Sequence, residues 1–259
     1  MIVATFNING IRARLEALGQ WADEASPDIL CLQETKCPDE KFPSGEVAAM
    51  LGHEVHHGQK SYNGVAILSK HEPDECVTGL DDGQSPGEEA RLILARYGDV
   101  WVLNTYVPQG REVGCEMFDY KLAWYARVGA MLAERFDPSR DKLVWVGDLN
   151  VALDDRDVYD PDRLRGGVCF HPDEQAALER VMDWGLVDLF RKHEPGEKQF
   201  SYYDYRLPKS VQRKLGWRID HVLATPPMAE RSTKAWIDLA LRTRPKPSDH
   251  TPVLVEFDA

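Results

Sequence analysis

The apolar residues of this chain gather in short runs of strand length. They lie at 2–8, 28–34, 63–69, 91–97, 100–107, 142–148, 218–224 and 252–257, and most are rich in β-branched residues. Between several of them the apolar positions change to helical spacing. Residues 12–25 form one such segment. Residues 116–136 form a second, with Phe118, Leu122, Tyr125, Val128 and Leu132 on one face, and residues 174–184 a third, with Gly185 as a stop. Strand follows strand between 54 and 107, so strict strand–helix alternation is missing. The pattern predicts an α/β fold of two mixed, largely antiparallel sheets with helices outside, not a doubly wound parallel sheet. Turn-rich stretches at 72–89 and 153–173 read as long loops. Apolar strands continue on both sides of each, which predicts one domain over 1–259; no internal repeat is visible.

Alternation within the strands places specific polar groups. Ile2, Ala4, Phe6 and Ile8 share one face of the first strand, and Asn7 and Asn9 the other. Asp148 and Asn150 share a face, and Asp220 lies opposite Ile219. Such groups beside apolar runs are costly to bury unless they serve one another or a ligand. The run 28–34 ends on Glu34, the run 143–146 is followed by Asp148 and Asn150, and Asp249-His250 precedes the last run. Strand ends are where α/β enzymes place chemistry. A histidine with hard oxygen ligands suits metal-assisted hydrolysis of a phosphate ester.

Charge refines this picture. The net charge is −12, which by itself argues against a nucleic-acid partner. Residues 191–259, however, carry 13 Lys and Arg against 9 Asp and Glu. Their densest basic stretch, Arg206, Lys209, Arg213, Lys214 and Arg218, contains no acid and follows Phe200, Tyr202, Tyr203 and Tyr205. Basic residues beside aromatics hold phosphates and stack on bases or sugars; the alternative is a solvated loop beside core aromatics. Asp81, Asp82, Glu88 and Glu89 read as a solvated acidic loop. The five cysteines lack paired spacing, which predicts reduced thiols and a cytoplasmic, nucleoid-associated location. Met1 runs straight into the first strand, so no signal peptide is expected, and no apolar run approaches membrane-spanning length.

Taken together, the segments resemble the exonuclease III family of abasic-site endonucleases, within the endonuclease–exonuclease–phosphatase superfamily. The resemblance rests on Phe6-Asn7-Ile8-Asn9-Gly10-Ile11-Arg12, Leu32-Gln33-Glu34-Thr35-Lys36, Tyr106-Val107-Pro108-Gln109-Gly110, Gly147-Asp148-Leu149-Asn150, Phe200-Ser201-Tyr202-Tyr203-Asp204-Tyr205-Arg206, Arg218-Ile219-Asp220 and Pro247-Ser248-Asp249-His250. It implies a DNase I-like sandwich and a magnesium-dependent hydrolase, with manganese as a substitute. The implied reaction is cleavage of double-stranded DNA 5′ to an abasic site, with some 3′–5′ exonuclease and 3′-end trimming. The implied enzyme is a monomer that needs no membrane and no obligate protein partner.

The resemblance also implies residue roles. Glu34 is the main metal carboxylate, with Asn7, Asn9 and Asp249 close by. His250 acts on the water or the phosphate, and Asp220 orients its ring. Asp148 positions or deprotonates the water, Asn150 holds it or a phosphate oxygen, and Tyr106 donates to the phosphate. Asp148 and His250 compete for the role of base. Arg91 and Lys121 match positions facing the DNA backbone; apart from the resemblance, the basic stretch itself offers Arg206 and Arg218 as further DNA contacts. Tyr202, Trp217 and Ile219 match the pocket for a flipped abasic sugar. Two other functions compete: a phosphatase or phosphodiesterase for a small or lipid substrate, and an inactive DNA-binding scaffold. The aromatic-basic segment 200–218 argues against the first, and the complete reactive set against the second.

Overall fold

The computed structural model describes residues 1–84 and 89–258. In chain order its strands are β1 (Ile2–Asn7), β2 (Ile29–Gln33), β3 (His53–His57), β4 (Val65–Ser69), β5 (Glu75–Thr78) and β6 (Leu92–Tyr97), then β7 (Val100–Tyr106), β8 (Lys142–Asp148), β9 (Val187–Asp188), β10 (Asp220–Ala224), β11 (Ser232–Ile237) and β12 (Val253–Phe257). The helices are α1 (Leu15–Ala25), α2 (Ser44–Leu51), α3 (Glu116–Arg135), α4 (Pro161–Leu164), α5 (Pro172–Met182), α6 (Leu189–His193) and α7 (Pro226–Ala229).

The strands form two six-stranded sheets, ordered β11-β12-β1-β2-β4-β3 and β5-β6-β7-β8-β10-β9. Each has one parallel pair at its centre, β1 with β2 and β7 with β8, and antiparallel pairs elsewhere. The two orders match position for position, an internal likeness that the sequence does not display.

Central strands are apolar throughout because both of their faces are covered. All five residues of β2 and all five of β4 are buried. Val3, Cys31, Ile67, Val102, Val144, Val222 and Val255 fill the space between the sheets. Outside the first sheet, α1 and α2 bury Leu18, Trp21 and Val47 against Leu30 and Leu254. Outside the second, α3 and α5 bury Tyr125, Val128, Leu132 and Leu178 against Leu103 and Trp145. Helix α5 begins earlier than the apolar spacing suggests because Pro172 opens it and His171 caps it in a capping box with Glu174.

Two loop expectations change. The stretch 72–89 contains β5, and its acids are not simply solvated: Asp82 pairs with Arg127 at 2.7 Å and Glu89 with Arg91 at 2.6 Å. Glu88 lies outside the described residues. The stretch 153–173 contains α4 and Asp157, which is fully buried. No helix among the described residues is long and apolar enough to cross a membrane.

Candidate active site

The sheet order brings one set of strand ends together. β1 and β2 run parallel, as do β7 and β8, so Asn7, Glu34, Tyr106 and Asp148 emerge at the same edge of the sandwich. β10 runs antiparallel to β8, with Asp220 directly opposite Asp148. The turn that leads into β12 adds Asp249 and His250. Gly147 is required just before Asp148: at φ +145, a Cβ there would lie 1.9 Å from the Thr105 carbonyl. Glu34, Asn9 and Asn150 adopt left-handed backbone at φ 50, 49 and 55. Such strain persists where the surroundings over-determine it, and it clusters at functional sites.

The side chains are mutually bonded. Asn7 Nδ2 donates to Glu34 Oε1 at 2.9 Å and to Asp148 Oδ2 at 2.8 Å, tying the two sheets together. Asp220 Oδ2 lies 2.8 Å from His250 Nδ1, and His250 Nε2 lies 3.7 Å from Asp148 Oδ2. Asn9 Nδ2 donates to Asp249 Oδ1 at 2.9 Å. Asn150 donates its backbone N–H to Asp148 Oδ1 at 3.0 Å and its side-chain amide to the Val107 carbonyl at 2.9 Å.

Burial and charge set the protonation of this cluster. Burial pushes the Asp148 carboxyl up to about 7; His250 opposes the rise, and the Asp220 and Glu34 charges add to it. Burial alone would lower His250, but Asp220 and Asp148 outweigh it and raise the imidazole well above its ordinary value. For Glu34, burial opposes the charge, yet Lys36, the Asn7 amide and His250 hold the carboxyl below its usual value. Burial, with Glu34 and Asp148, lifts Tyr106 well above the ordinary tyrosine value, so its hydroxyl stays protonated as a donor.

Two arrangements present cation ligands. Asp148, Asp220 and His250 each bring a ligand atom within 4.8 Å of the others. On the other side, Glu34 Oε2 and Asn9 Oδ1 converge on the Lys36 ammonium at 2.7 and 2.5 Å, so a cation already fits between them. Asp220 Oδ1 is buried with no partner among the described residues. The donors are hard oxygens, the chemistry a magnesium-like ion prefers.

A cavity of about 590 Å³ opens directly onto the cluster. Glu34, Asp148, Asn150, Asp249 and His250 line it together with Trp217, Ile219, Tyr202, Leu164 and Val168. Tyr202 and Trp217 exchange backbone hydrogen bonds at 2.9 Å, and the Tyr202 ring lies 4.9 Å from the His250 ring. Arg206 is exposed at the rim and paired with Asp204 at 2.7 Å.

Three expected DNA contacts sit elsewhere. Lys121 is fully buried, bonded to Glu174 and to the Asn150 carbonyl at 2.7 Å. Arg218 is fully buried between Asp157 and Asp188, at 2.7 and 2.8 Å. Arg91 is nearly buried, paired with Glu89, with its guanidinium 5.0 Å from the Tyr106 ring centre. These charges are consumed inside the protein, so none of the three presents a free cation to a phosphate backbone.

Three residues were missed from sequence. Lys36 had no apolar pattern to mark it. The Ser248 hydroxyl donates to the Asn7 carbonyl at 2.7 Å and accepts from the His250 N–H, stapling the last loop to β1. Ser201 Oγ accepts from the Asp220 N–H at 3.3 Å. Its place inside the aromatic segment was the available signal.

The chain is similar to known proteins along its whole length. Residues 4–250 match the model of the Endonuclease/Exonuclease/phosphatase family. Exodeoxyribonuclease III of Haemophilus influenzae is 39% identical over 98% of each chain. An AP endonuclease from Archaeoglobus fulgidus has a TM-score of 0.96 at 44% identity, covering 100% of both chains. The Neisseria 3′ phosphatase NExo, bound to a product DNA hairpin, has a TM-score of 0.94 at 36% identity, again over 100% of both chains. With a reactive cluster joining both sheets and full-length likeness on each count, the chain belongs to the endonuclease/exonuclease/phosphatase family and, within it, to the exonuclease III family of metal-dependent phosphodiesterases.

Proposed function

We propose that the protein is a magnesium-dependent DNA repair hydrolase that cuts the phosphodiester 5′ to an abasic site and also trims 3′ ends. The observation that carries this reading is the shared wall: the cluster of Glu34, Asp148 and His250 faces the same cavity as Trp217, Ile219 and Tyr202. A sugar without its base leaves the duplex at lower cost than an intact nucleotide, and an aromatic and apolar pocket accepts it. The Archaeoglobus AP endonuclease supports the endonuclease half, and the Haemophilus exodeoxyribonuclease supports trimming of ends. The Neisseria 3′ phosphatase supports processing of 3′ ends at the same site.

Glu34, Asn9 and Asp249 would hold the cation, with Asn7 fixing the Glu34 carboxylate. Bound there, a hard divalent ion neutralises phosphate charge and stabilises the leaving oxygen. Asp148, its carboxyl lifted toward neutral pH, takes the proton from the attacking water. His250 is held as a cation by Asp220 and faces the phosphate, so the role of base falls to Asp148. Tyr106 donates its hydroxyl proton to a phosphate oxygen. Asn150 is anchored by the Val107 carbonyl and borders the water position from the cavity side. Five free thiols suit the reducing cytoplasm in which such a repair enzyme meets DNA.

The test is a labelled duplex carrying one tetrahydrofuran abasic analogue, incubated with and without magnesium, followed by analysis of the product ends. A magnesium-dependent nick leaving a 3′-hydroxyl is expected. Release of phosphate from a 3′-phosphorylated hairpin, without any nick at the analogue, would make 3′-end processing the main activity instead.

A further inference from the structure

Lys36 is the cation in contact with Glu34. Its ammonium lies 2.7 Å from Glu34 Oε2 and 2.5 Å from Asn9 Oδ1, and Asn9 in turn holds Asp249 at 2.9 Å. The turn that carries it is fixed. Glu34 and Lys36 both adopt left-handed backbone at φ 50, and the N–H groups of Thr35 and Lys36 are bound by the Gly64 and Asn63 carbonyls at 3.0 and 2.9 Å. The Lys36 head folds back over the carboxylate two residues earlier. Unlike Lys121 it is not enclosed: a third of its side chain, 34%, is exposed.

A divalent ion and an ammonium cannot both sit against Glu34 Oε2, because like charges a few ångström apart repel. A partly exposed lysine pair is weak, and the flexible four-carbon stem allows the head to move away. Resting on the cation reading proposed above, we infer that Lys36 is an exchangeable counterion: it neutralises Glu34 until a divalent cation takes that place, then swings outward to pair with a DNA phosphate. Lys36 therefore opposes cation binding and supports DNA binding, and each ligand favours the other by the same factor.

Manganese binding followed by electron paramagnetic resonance tests the first half, with wild type, Lys36→Met, Lys36→Arg and Glu34→Gln at one salt concentration. Lys36→Met binds manganese about three- to tenfold tighter, because both the competitor and the repulsion are gone. Lys36→Arg keeps the charge and stays within about twofold of wild type. Unchanged or weaker binding in Lys36→Met overturns the inference and makes Lys36 a support that orients Glu34. Unchanged binding in Glu34→Gln fails differently, since it removes Glu34 from the cation site and overturns the reading beneath.

The second half is read from the salt dependence of binding to the tetrahydrofuran duplex, in an Asp148→Asn background that holds cleavage back. With manganese present, Lys36→Met lowers the log–log salt slope by about 0.9, one phosphate contact. In chelator the slope is unchanged, because Lys36 is then engaged by Glu34. The same slope change in both conditions would make Lys36 a permanent phosphate contact and overturn the exchange.

Discussion

Asp220, His250 and Asp148 form a buried line of charge across the site, each within 4 Å of the next. Their effects on rate should not add. His250→Ala loses the imidazole, and Asp220→Asn loses the charge that keeps it oriented and protonated. Each single change should slow cleavage about a hundredfold or more. The double variant should be little worse than the worse single, because the two act as a unit. Single-turnover rates decide this, and fully additive losses would show the pair to be uncoupled. For Trp217 the expected effect is on selection instead. Its backbone is paired with Tyr202 and its ring meets Phe170 edge-on at 6.5 Å, so Trp217→Ala removes the pocket wall and keeps the local pairing. Cleavage at the abasic analogue should fall modestly, by the roughly 1–3 kcal/mol that stacking on one aromatic supplies. Cleavage of intact duplex should rise relative to it. An equal proportional loss on both substrates, at matched folded fraction, would leave Trp217 with no role in selection.

Among the secondary-structure elements, α3 shows why some of this was legible in sequence and some was not. Its apolar face is periodic and was readable, as were the central strands, where burial on both sides demands continuous apolar runs. Edge strands carry less of that signal. β5 is exposed at three of its four residues, and β11 exposes Thr233 and Lys234, so neither stood out. Carboxylates at strand ends were legible because polar groups interrupt apolar runs there. The resemblance places Lys121 facing DNA and the basic stretch does the same for Arg218, but both are fully buried, which lysine and arginine seldom are without partners. Their partners, Glu174 and Asp157, are 53 and 61 residues away, beyond any local pattern. The buried Lys121 has a consequence for the site. With Tyr125, whose hydroxyl reaches the Leu149 carbonyl, it fastens α3 to the turn carrying Asp148 and Asn150. Lys121→Met should cost about 3–5 kcal/mol by stranding Glu174. Lys121→Met with Glu174→Gln should regain most of that stability and keep the capping bond to His171. It should still lose activity, about tenfold or more, because the Asn150 carbonyl is unanchored. Urea melts and single-turnover rates on the same samples separate the two effects, and full activity in the double variant would exclude α3 from positioning.

Across the whole molecule, the same sandwich edge that supports the chemistry rests on a second buried network, whose charge state governs stability. Arg218 lies between Asp157 and Asp188, and its guanidinium reaches His221 Nδ1 at 3.1 Å. His221 Nε2 faces the Val151 carbonyl at 2.7 Å. The imidazole therefore donates from Nε2 and accepts at Nδ1, which requires it to be neutral. Burial, then the Arg218 charge, lower its pKa below the ordinary 6.5, although Asp188 and Asp157 pull the other way. Below pH 6.5 the unfolded chain takes up this proton before the folded protein does, so the contribution of His221 to stability falls as pH falls. Asp157, held down at about 2 against its burial by Arg218 and Arg191, adds a further loss only between 3.8 and 2. Asp148 and His250 are shifted upward and bend the curve in the opposite sense, so the His221 effect is best read as a difference. Glutamine can donate to Val151 and accept from Arg218 without titrating. The stability of wild type relative to His221→Gln should therefore decline below pH 6.5, approaching the limiting slope of one proton, about 1.4 kcal/mol per pH unit. Urea unfolding of both proteins from pH 7.5 to 5 measures it. Parallel curves would mean that His221 takes up its proton over the same pH range in the folded and unfolded chains, so that burial and Arg218 do not hold it neutral.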